Sequence, residues 1–121
     1  MDQASLESLI RDWLLAWTGN QPDRLLAFYA DDAYYQDPAR SGGLRGQAEL
    51  SGYFRKLLAA NPEWKWEPVE ILPTARGCCL KWKATIPHGN EAITLVGLDI
   101  VEITHGKISR NEVYFDTSAF G

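Results

Sequence analysis

Apolar residues return every three or four positions through the first stretch of the chain. Leu6, Leu9, Ile10, Trp13, Leu14 and Trp17 fall on one broad face, the pattern of an amphipathic helix. Asp2 or Ser5 is placed to cap its start and Gly19-Asn20 to end it. Pro22-Asp23 opens a second, short helix, with Leu25, Leu26, Phe28 and Tyr29 on its buried side. A short extended piece over residues 33–36 stops at Asp37-Pro38, since a residue before proline avoids the helical region. Arg40-Ser41-Gly42-Gly43 reads as a turn. The helical period resumes from Gln47 to Ala60 through Leu50, Phe54, Leu57 and Leu58, and Asn61-Pro62 closes it.

After Pro62 the period drops to two. Residues 64–72 form a strand, which Pro68 interrupts with a bulge or confines to an edge. Over 78–86, Cys78, Leu80, Trp82, Ala84 and Ile86 face one way and Lys81 and Lys83 the other. His88-Gly89-Asn90 turns the chain into a long strand, 92–104, and His105-Gly106 turns it into the last, 107–116. The long strand is apolar on both faces: Ile93, Leu95, Gly97, Val101 and Ile103 lie with Asp99, while Val96, Leu98 and Ile100 lie opposite. The helices can cover one face only. A second copy packed against the other makes a homodimer through the sheet face the expected arrangement.

A chain of 121 residues has room for one core, so the reading is a single α+β domain over 1–121. The net charge of −4, with lysines and arginines scattered, argues against nucleic acid and against an anionic membrane surface. No apolar run approaches the ~18 residues of a membrane span, and the N-terminus lacks the features of a signal peptide. Cys78 and Cys79 are adjacent, poor geometry for bridging each other, and fit a reducing compartment. The expected location is the cytoplasm. Five tryptophans and five tyrosines give the interior large flat side chains, which fill cores and line pockets alike.

Asp99 is the first candidate for chemistry. A carboxylate on the apolar face of a central strand is costly unless paired or protonated. It is either a functional group of raised pKa or a structural aspartate, satisfied by a backbone amide or by a base such as Arg110. Asp37 either opens a turn or acts as a general base on a pocket rim, near a mouth formed by Tyr34 or Tyr35. Trp13 and Trp82 are the tryptophans placed to border a cavity. His88 and His105 precede turn glycines with no partner at ligand spacing, so neither a metal nor another cofactor is expected. Cys79 has no histidine placed to activate it.

Several stretches together resemble one superfamily. They are Leu25-Leu26-Ala27-Phe28-Tyr29-Ala30-Asp31-Asp32-Ala33, Gln36-Asp37-Pro38, Leu44-Arg45-Gly46, Gly97-Leu98-Asp99-Ile100-Val101-Glu102, His105-Gly106-Lys107-Ile108 and Val113-Tyr114-Phe115-Asp116. They resemble the NTF2-like superfamily, in its SnoaL-like and ketosteroid-isomerase-like branches. The resemblance implies a cone-like fold with N-terminal helices over a curved antiparallel sheet. It is specific for fold and general for activity. It implies Asp37 as the base that moves a proton beside a carbonyl and Asp99 as a protonated partner. The residues expected to bind substrate are Trp13, Tyr29, Tyr35, Phe54, Trp82 and Tyr114, with Trp13 and Trp82 as pocket walls and Tyr114 as a polar wall residue.

The sequence departs from the isomerases where Trp13 stands in place of an oxyanion tyrosine. A tyrosine network from the third helix is also expected to be absent, with Phe54 near its place. Gly97 and Val113 depart likewise from the epoxide-hydrolase branch. The functional expectation is a cofactor-independent isomerase or polyketide-cyclase-like enzyme acting on a small apolar carbonyl compound. The alternative is a non-catalytic ligand-binding or dimeric interaction module.

Overall fold

The computed structural model describes residues 1–120, with side chains through Ser118; Gly121, the last residue of the expected domain, lies outside the described residues. Three helices, α1 (Gln3–Leu15), α2 (Pro22–Leu26) and α3 (Gln47–Ala60), accompany six strands. These are β1 (Tyr29–Gln36), β2 (Leu44–Arg45), β3 (Lys65–Pro73), β4 (Gly77–His88), β5 (Glu91–Thr104) and β6 (Lys107–Tyr114). A 3-10 turn at Thr117–Phe120 follows. The strands form one open sheet in the order β2-β1-β6-β5-β4-β3. It is antiparallel throughout except that β1 and β6 run parallel, so the expected antiparallel sheet is in fact mixed. The cause is the long return from β1 to the last strand, which brings the chain back alongside β1 in the same direction.

Local chemistry accounts for the boundaries. Asp2 is the α1 cap, accepting from Ser5 N at 2.7 Å. Pro22 starts α2 as its first residue. Tyr29, assigned from the sequence to the buried side of α2, instead begins β1. β1 also starts earlier than the sequence suggests, because residues 29–34 bulge against β6. Pro68 sits at the register shift of β3, where a missing N–H leaves no ladder bond broken. His105 and Gly106 both adopt positive φ, 52° and 76°, the two-residue turn whose twist suits a hairpin.

Leu6, Ile10, Trp13 and Leu14 of α1 and Leu50, Phe54 and Leu58 of α3 are buried. They join the inner face of the sheet, including Leu80, Trp82, Ala84 and Val101, in one core. The end of α1 is tied to the approach to β3 three times. Gly19 N donates to Pro62 O at 3.0 Å, Thr18 Oγ1 to Trp64 O at 2.9 Å, and the Trp64 indole to Trp17 O. This fixes Trp17 and Trp64 beside each other at one end of the core. On the opposite face of the sheet, Val96 is 55% exposed and Leu98 43%. No described helix is long and apolar enough to cross a membrane.

Candidate active site

A cavity of about 370 Å³ opens between the helices and the inner sheet face. That is the space of roughly a dozen waters at the ~30 Å³ each occupies in the liquid, enough for a mono- or bicyclic organic molecule. All five tryptophans line it, and so do both Asp37 and Asp99.

Asp37 follows β1, where the period of two that buries Ala33 and Tyr35 also turns its side chain inward. Its two oxygens have separate tasks. Oδ1 accepts from Ala39 N at 2.9 Å and Arg40 N at 3.0 Å, forming the turn that Asp-Pro suggests. Oδ2 accepts from the hydroxyls of Tyr35 at 2.7 Å and Tyr53 at 2.6 Å. Four donors fill the acceptor sites of one carboxylate. Burial, and then the Asp37 charge, push the Tyr35 hydroxyl well above the ordinary phenol range. Tyr53 rises too, from burial and its bond to Asp37. Both stay protonated donors.

Asp99 is only 3% exposed. Its Oδ1 accepts from the Trp82 indole at 2.7 Å and its Oδ2 from Asn111 Nδ2 at 2.8 Å. Leu80 stands opposite Asp99 in the ladder and Trp82 opposite Gly97. The Trp82 ring therefore reaches its acceptor by lying across the space that Gly97 leaves without a side chain. Asn111 is completely buried on β6. Its Oδ1 accepts from Tyr29 at 2.8 Å, and Tyr29 Oη in turn accepts from the Trp13 indole at 3.1 Å. A relay of donors, Trp13 to Tyr29 to Asn111, thus ends on Asp99. Burial raises the Asp99 pKa to about 7, against the lowering effect of Asn111 and Trp82, and the charge on Asp37 raises it further. Arg110, the base named from the sequence as a partner for Asp99, instead bonds Glu112 and Glu102.

A family model for the SnoaL-like domain matches residues 10–111. The chain belongs to the SnoaL-like family. Solved structures with the same fold include the epoxide hydrolase/cyclase-like enzyme SalBIII, described in pyran ring formation in the polyether salinomycin. It is 17% identical, with 97% of this chain and 95% of that one covered and a TM-score of 0.82. A protein of ketosteroid isomerase-like fold from Catenulispora acidiphila, in complex with trimethylamine, is 18% identical over 91% and 86% of the two chains, TM-score 0.80. TerC, co-crystallised with polyporic acid, is 16% identical over 96% and 95%, TM-score 0.80. At these identities the likeness establishes the NTF2-like fold. A search of curated proteins finds no match.

Within this SnoaL-like cavity lie Trp13, Tyr35, Asp37, Trp82 and Asp99. Tyr29 and Phe54 are buried behind the wall rather than in it. Phe54 packs on Trp17, Tyr29 and Tyr35. Tyr114 is on the outer face, 45% exposed, donating to Glu112 at 2.6 Å. Tyr34 is also outside, bonded to Gln36. The third helix does bring a tyrosine to the site, contrary to the sequence expectation. It is Tyr53, set about 100° around the helix from Phe54, so that one residue meets Asp37 and the next the core. The Trp13 indole is committed to Tyr29 and does not replace an oxyanion donor.

Sequence reasoning also missed Asn111, Trp17, Trp64 and Trp66. Counting back by two from the inward Val113 would have put Asn111 inward. The indole nitrogen of Trp66 is the one buried side-chain polar atom among the described residues with no hydrogen-bond partner. No three of the described His, Cys, Asp and Glu residues gather as a metal-binding group.

Proposed function

We propose that the protein is a cofactor-independent acid/base catalyst that moves a proton beside the carbonyl of a small, mostly apolar compound, as an isomerase or cyclase. Asp99 carries the proton. The observation that supports this most directly is a buried carboxyl lining an aromatic cavity with a pKa near 7, where a group is effective both as base and as acid. The proposal moves the base from Asp37 to Asp99. Asp99 accepts two hydrogen bonds and keeps lone pairs open, whereas Asp37 has its acceptor sites filled. Asp37 instead orients Tyr35 and Tyr53. The unpartnered indole of Trp66 favours a ligand that brings an acceptor oxygen.

The test is deuterium exchange beside the carbonyl of small cyclic β,γ-unsaturated ketones, followed by proton NMR. Wild type accelerates exchange over buffer, with a rate that climbs as pH rises through about 7 and Asp99 ionises. Asp99→Asn loses about 10²–10⁴-fold, and Asp37→Asn loses less. An Asp99→Asn variant as fast as wild type would remove Asp99 from the mechanism. The second reading, a non-catalytic binding module, draws support from the indoles of Trp13, Trp64 and Trp82, whose donors are all committed within the protein. It predicts ligand binding without exchange.

The outer sheet face is proposed as the contact with a second copy. Val96 and Leu98 lie at its centre. Lys83 and Lys81 stand opposite them on β4, and on the β6 side Leu98 faces Tyr114 while Ile100 faces Glu112. A dyad running along β5 sets the β4 flank of one copy against the β6 flank of the other and brings Val96 and Leu98 of the two copies together, so apolar area favours self-association. Sedimentation of wild type is expected to give a dimer at micromolar concentration, and Leu98→Glu a folded monomer. A monomeric wild type rejects the arrangement.

A further inference from the structure

We propose that the cavity receives a small organic cation, an alkylated ammonium, caged by its aromatic rings and balanced by the carboxylates of Asp37 and Asp99. The inference shares its cavity with the proposed function but does not depend on proton transfer. It begins from the charge balance of the lining. Two carboxylates line the cavity, and none of the lining residues is a lysine, arginine or histidine. Arg40 lies with its guanidinium 5.5 Å from the Tyr53 ring centre and is not part of the lining.

The donors that reach the two carboxylates are neutral: two phenols, two backbone amides, an indole and a carboxamide. Neutral dipoles stabilise a carboxylate without cancelling its charge. The field inside the cavity is therefore negative, and the two aspartates feel it in each other, since the Asp37 charge raises Asp99. An anionic ligand would add a third like charge in a mostly apolar space. A cation would relieve the existing pair.

The walls favour the same class. Trp66 meets Trp82 at 74° and 4.7 Å, Trp64 meets Trp66 at 81° and 5.0 Å, and Trp13 meets Trp17 at 82° and 6.1 Å. Rings joined edge to face turn at each contact, and all of these tryptophans line the cavity, so aromatic surface borders it in several orientations. The π face of an indole attracts cations more strongly than any other side-chain ring.

Alkylation on the nitrogen follows from the scarcity of acceptors. A primary ammonium carries three N–H donors. Asp99 is the one lining carboxylate with open lone pairs, and the other side-chain acceptors there are the neutral oxygens of Asn61, Thr117 and the two tyrosines. Three N–H donors would therefore be poorly matched in a mostly apolar wall. Sodium or potassium would lose its water for too few oxygens. Methyl groups on nitrogen spread the charge over an apolar surface that matches the rings.

The pH dependence of binding separates this ligand class from a neutral one. Around Asp99 stand Trp82 and Cys78 on β4, Asn111 on β6 with Tyr29 behind it, and Asp37, Tyr35 and Tyr53 across the cavity. Burial pushes Cys78 up to about 12 and holds all three tyrosines above their ordinary range. Asp99 is thus the group in this set whose pKa sits near neutrality. Its ionisation strengthens a cation's binding and leaves a neutral ligand's affinity little changed.

The experiment is calorimetric titration of the full chain with choline and with its uncharged carbon isostere, 3,3-dimethylbutan-1-ol. At about pH 8 choline is expected to bind at least about tenfold more tightly than the isostere. At about pH 5.5, where Asp99 holds its proton, that advantage shrinks while the isostere is unaffected. Asp99→Asn is expected to reduce choline affinity at the higher pH and abolish its pH dependence. Should that variant fail to fold, the wild-type pH comparison decides alone. Equal or tighter binding of the isostere, choline affinity independent of pH, or no saturable binding of choline each overturns the inference. Exchange on the neutral ketones reads the proton-transfer proposal separately, so the failure of one is distinguishable from the failure of the other.

Discussion

Folding stability is expected to fall as pH rises from about 4 to about 7, by on the order of 4 kcal/mol on account of Asp99 alone. Burial raises the carboxyl from an ordinary 3.8 to about 7 in the folded chain. Below about pH 4 both folded and unfolded chains carry this proton, and the fold buries a neutral group. Between the two values the unfolded chain releases the proton and the folded chain keeps it, so each step in pH favours unfolding. Above about pH 7 the fold holds a buried charge and the full cost is present. Glu112, held low by its bond from Arg110, contributes in the opposite sense, but near the surface, where solvent screens it. Urea denaturation of wild type beside Asp99→Asn, across this range, isolates the effect. The variant lacks the titrating group, so its stability should gain on wild type as pH rises. A difference that stays flat with pH means that Asp99 does not experience the burial described here.

This cost is informative about function. A neutral side chain would spare the fold several kcal/mol at neutral pH. The relay from Trp13 through Tyr29 to Asn111 holds the carboxylate in one orientation without supplying a counter-charge. Such an arrangement contributes little to folding and keeps the group able to exchange its proton, which is what an acid/base group requires.

The helices and the late strands are legible in the sequence because each has a strong period. Leu50, Phe54, Leu57 and Leu58 define α3 to the residue, and Cys78, Leu80, Trp82, Ala84 and Ile86 fix which face of β4 is inward. Asp99 is legible as a candidate because it breaks an apolar pattern. β1 is less so: its early residues bulge, and Asp31 and Asp32 fall outside the extended piece expected over 33–36 although they belong to the strand. A parallel pairing between elements some eighty residues apart leaves no local signature, so the route from Tyr29 to Asn111 has no sequence signal. Tyr53 was overlooked because its neighbour Phe54 satisfied the helical pattern, although Leu50 and Leu57 at three and four residues' distance put Tyr53 on the same face. Tyr114 erred the other way. Alternation from the inward Val113 turns it outward, and the choice of a polar wall residue overlooked that parity.

Gly97→Ala is expected to destabilise the protein by about 3 kcal/mol, the upper part of the range for overpacking a filled site. A Cβ there would lie 2.6 Å from the Trp82 ring carbon Cη2 and 2.7 Å from the backbone oxygen of Tyr114. Both are closer than real Cβ contacts, and a backbone oxygen within a ladder cannot rotate away. The ring cannot move freely either, because its indole nitrogen is bonded to Asp99. If Trp82 gives way, Asp99 loses one of the two donors that lower its pKa, and the wall of the cavity shifts with it. Chemical denaturation measures the loss, and a double-mutant cycle with Trp82→Leu assigns it. In the Trp82→Leu background the alanine should cost less, with a coupling of roughly 0.5–3 kcal/mol, while the clash with Tyr114 persists. A cost within about 0.5 kcal/mol of zero in the wild-type background would mean that Trp82 can reach Asp99 without the gap. The requirement for glycine would then lie outside the site. A substantial coupling ties the residue with no side chain to the orientation of the carboxylate two positions along the same strand.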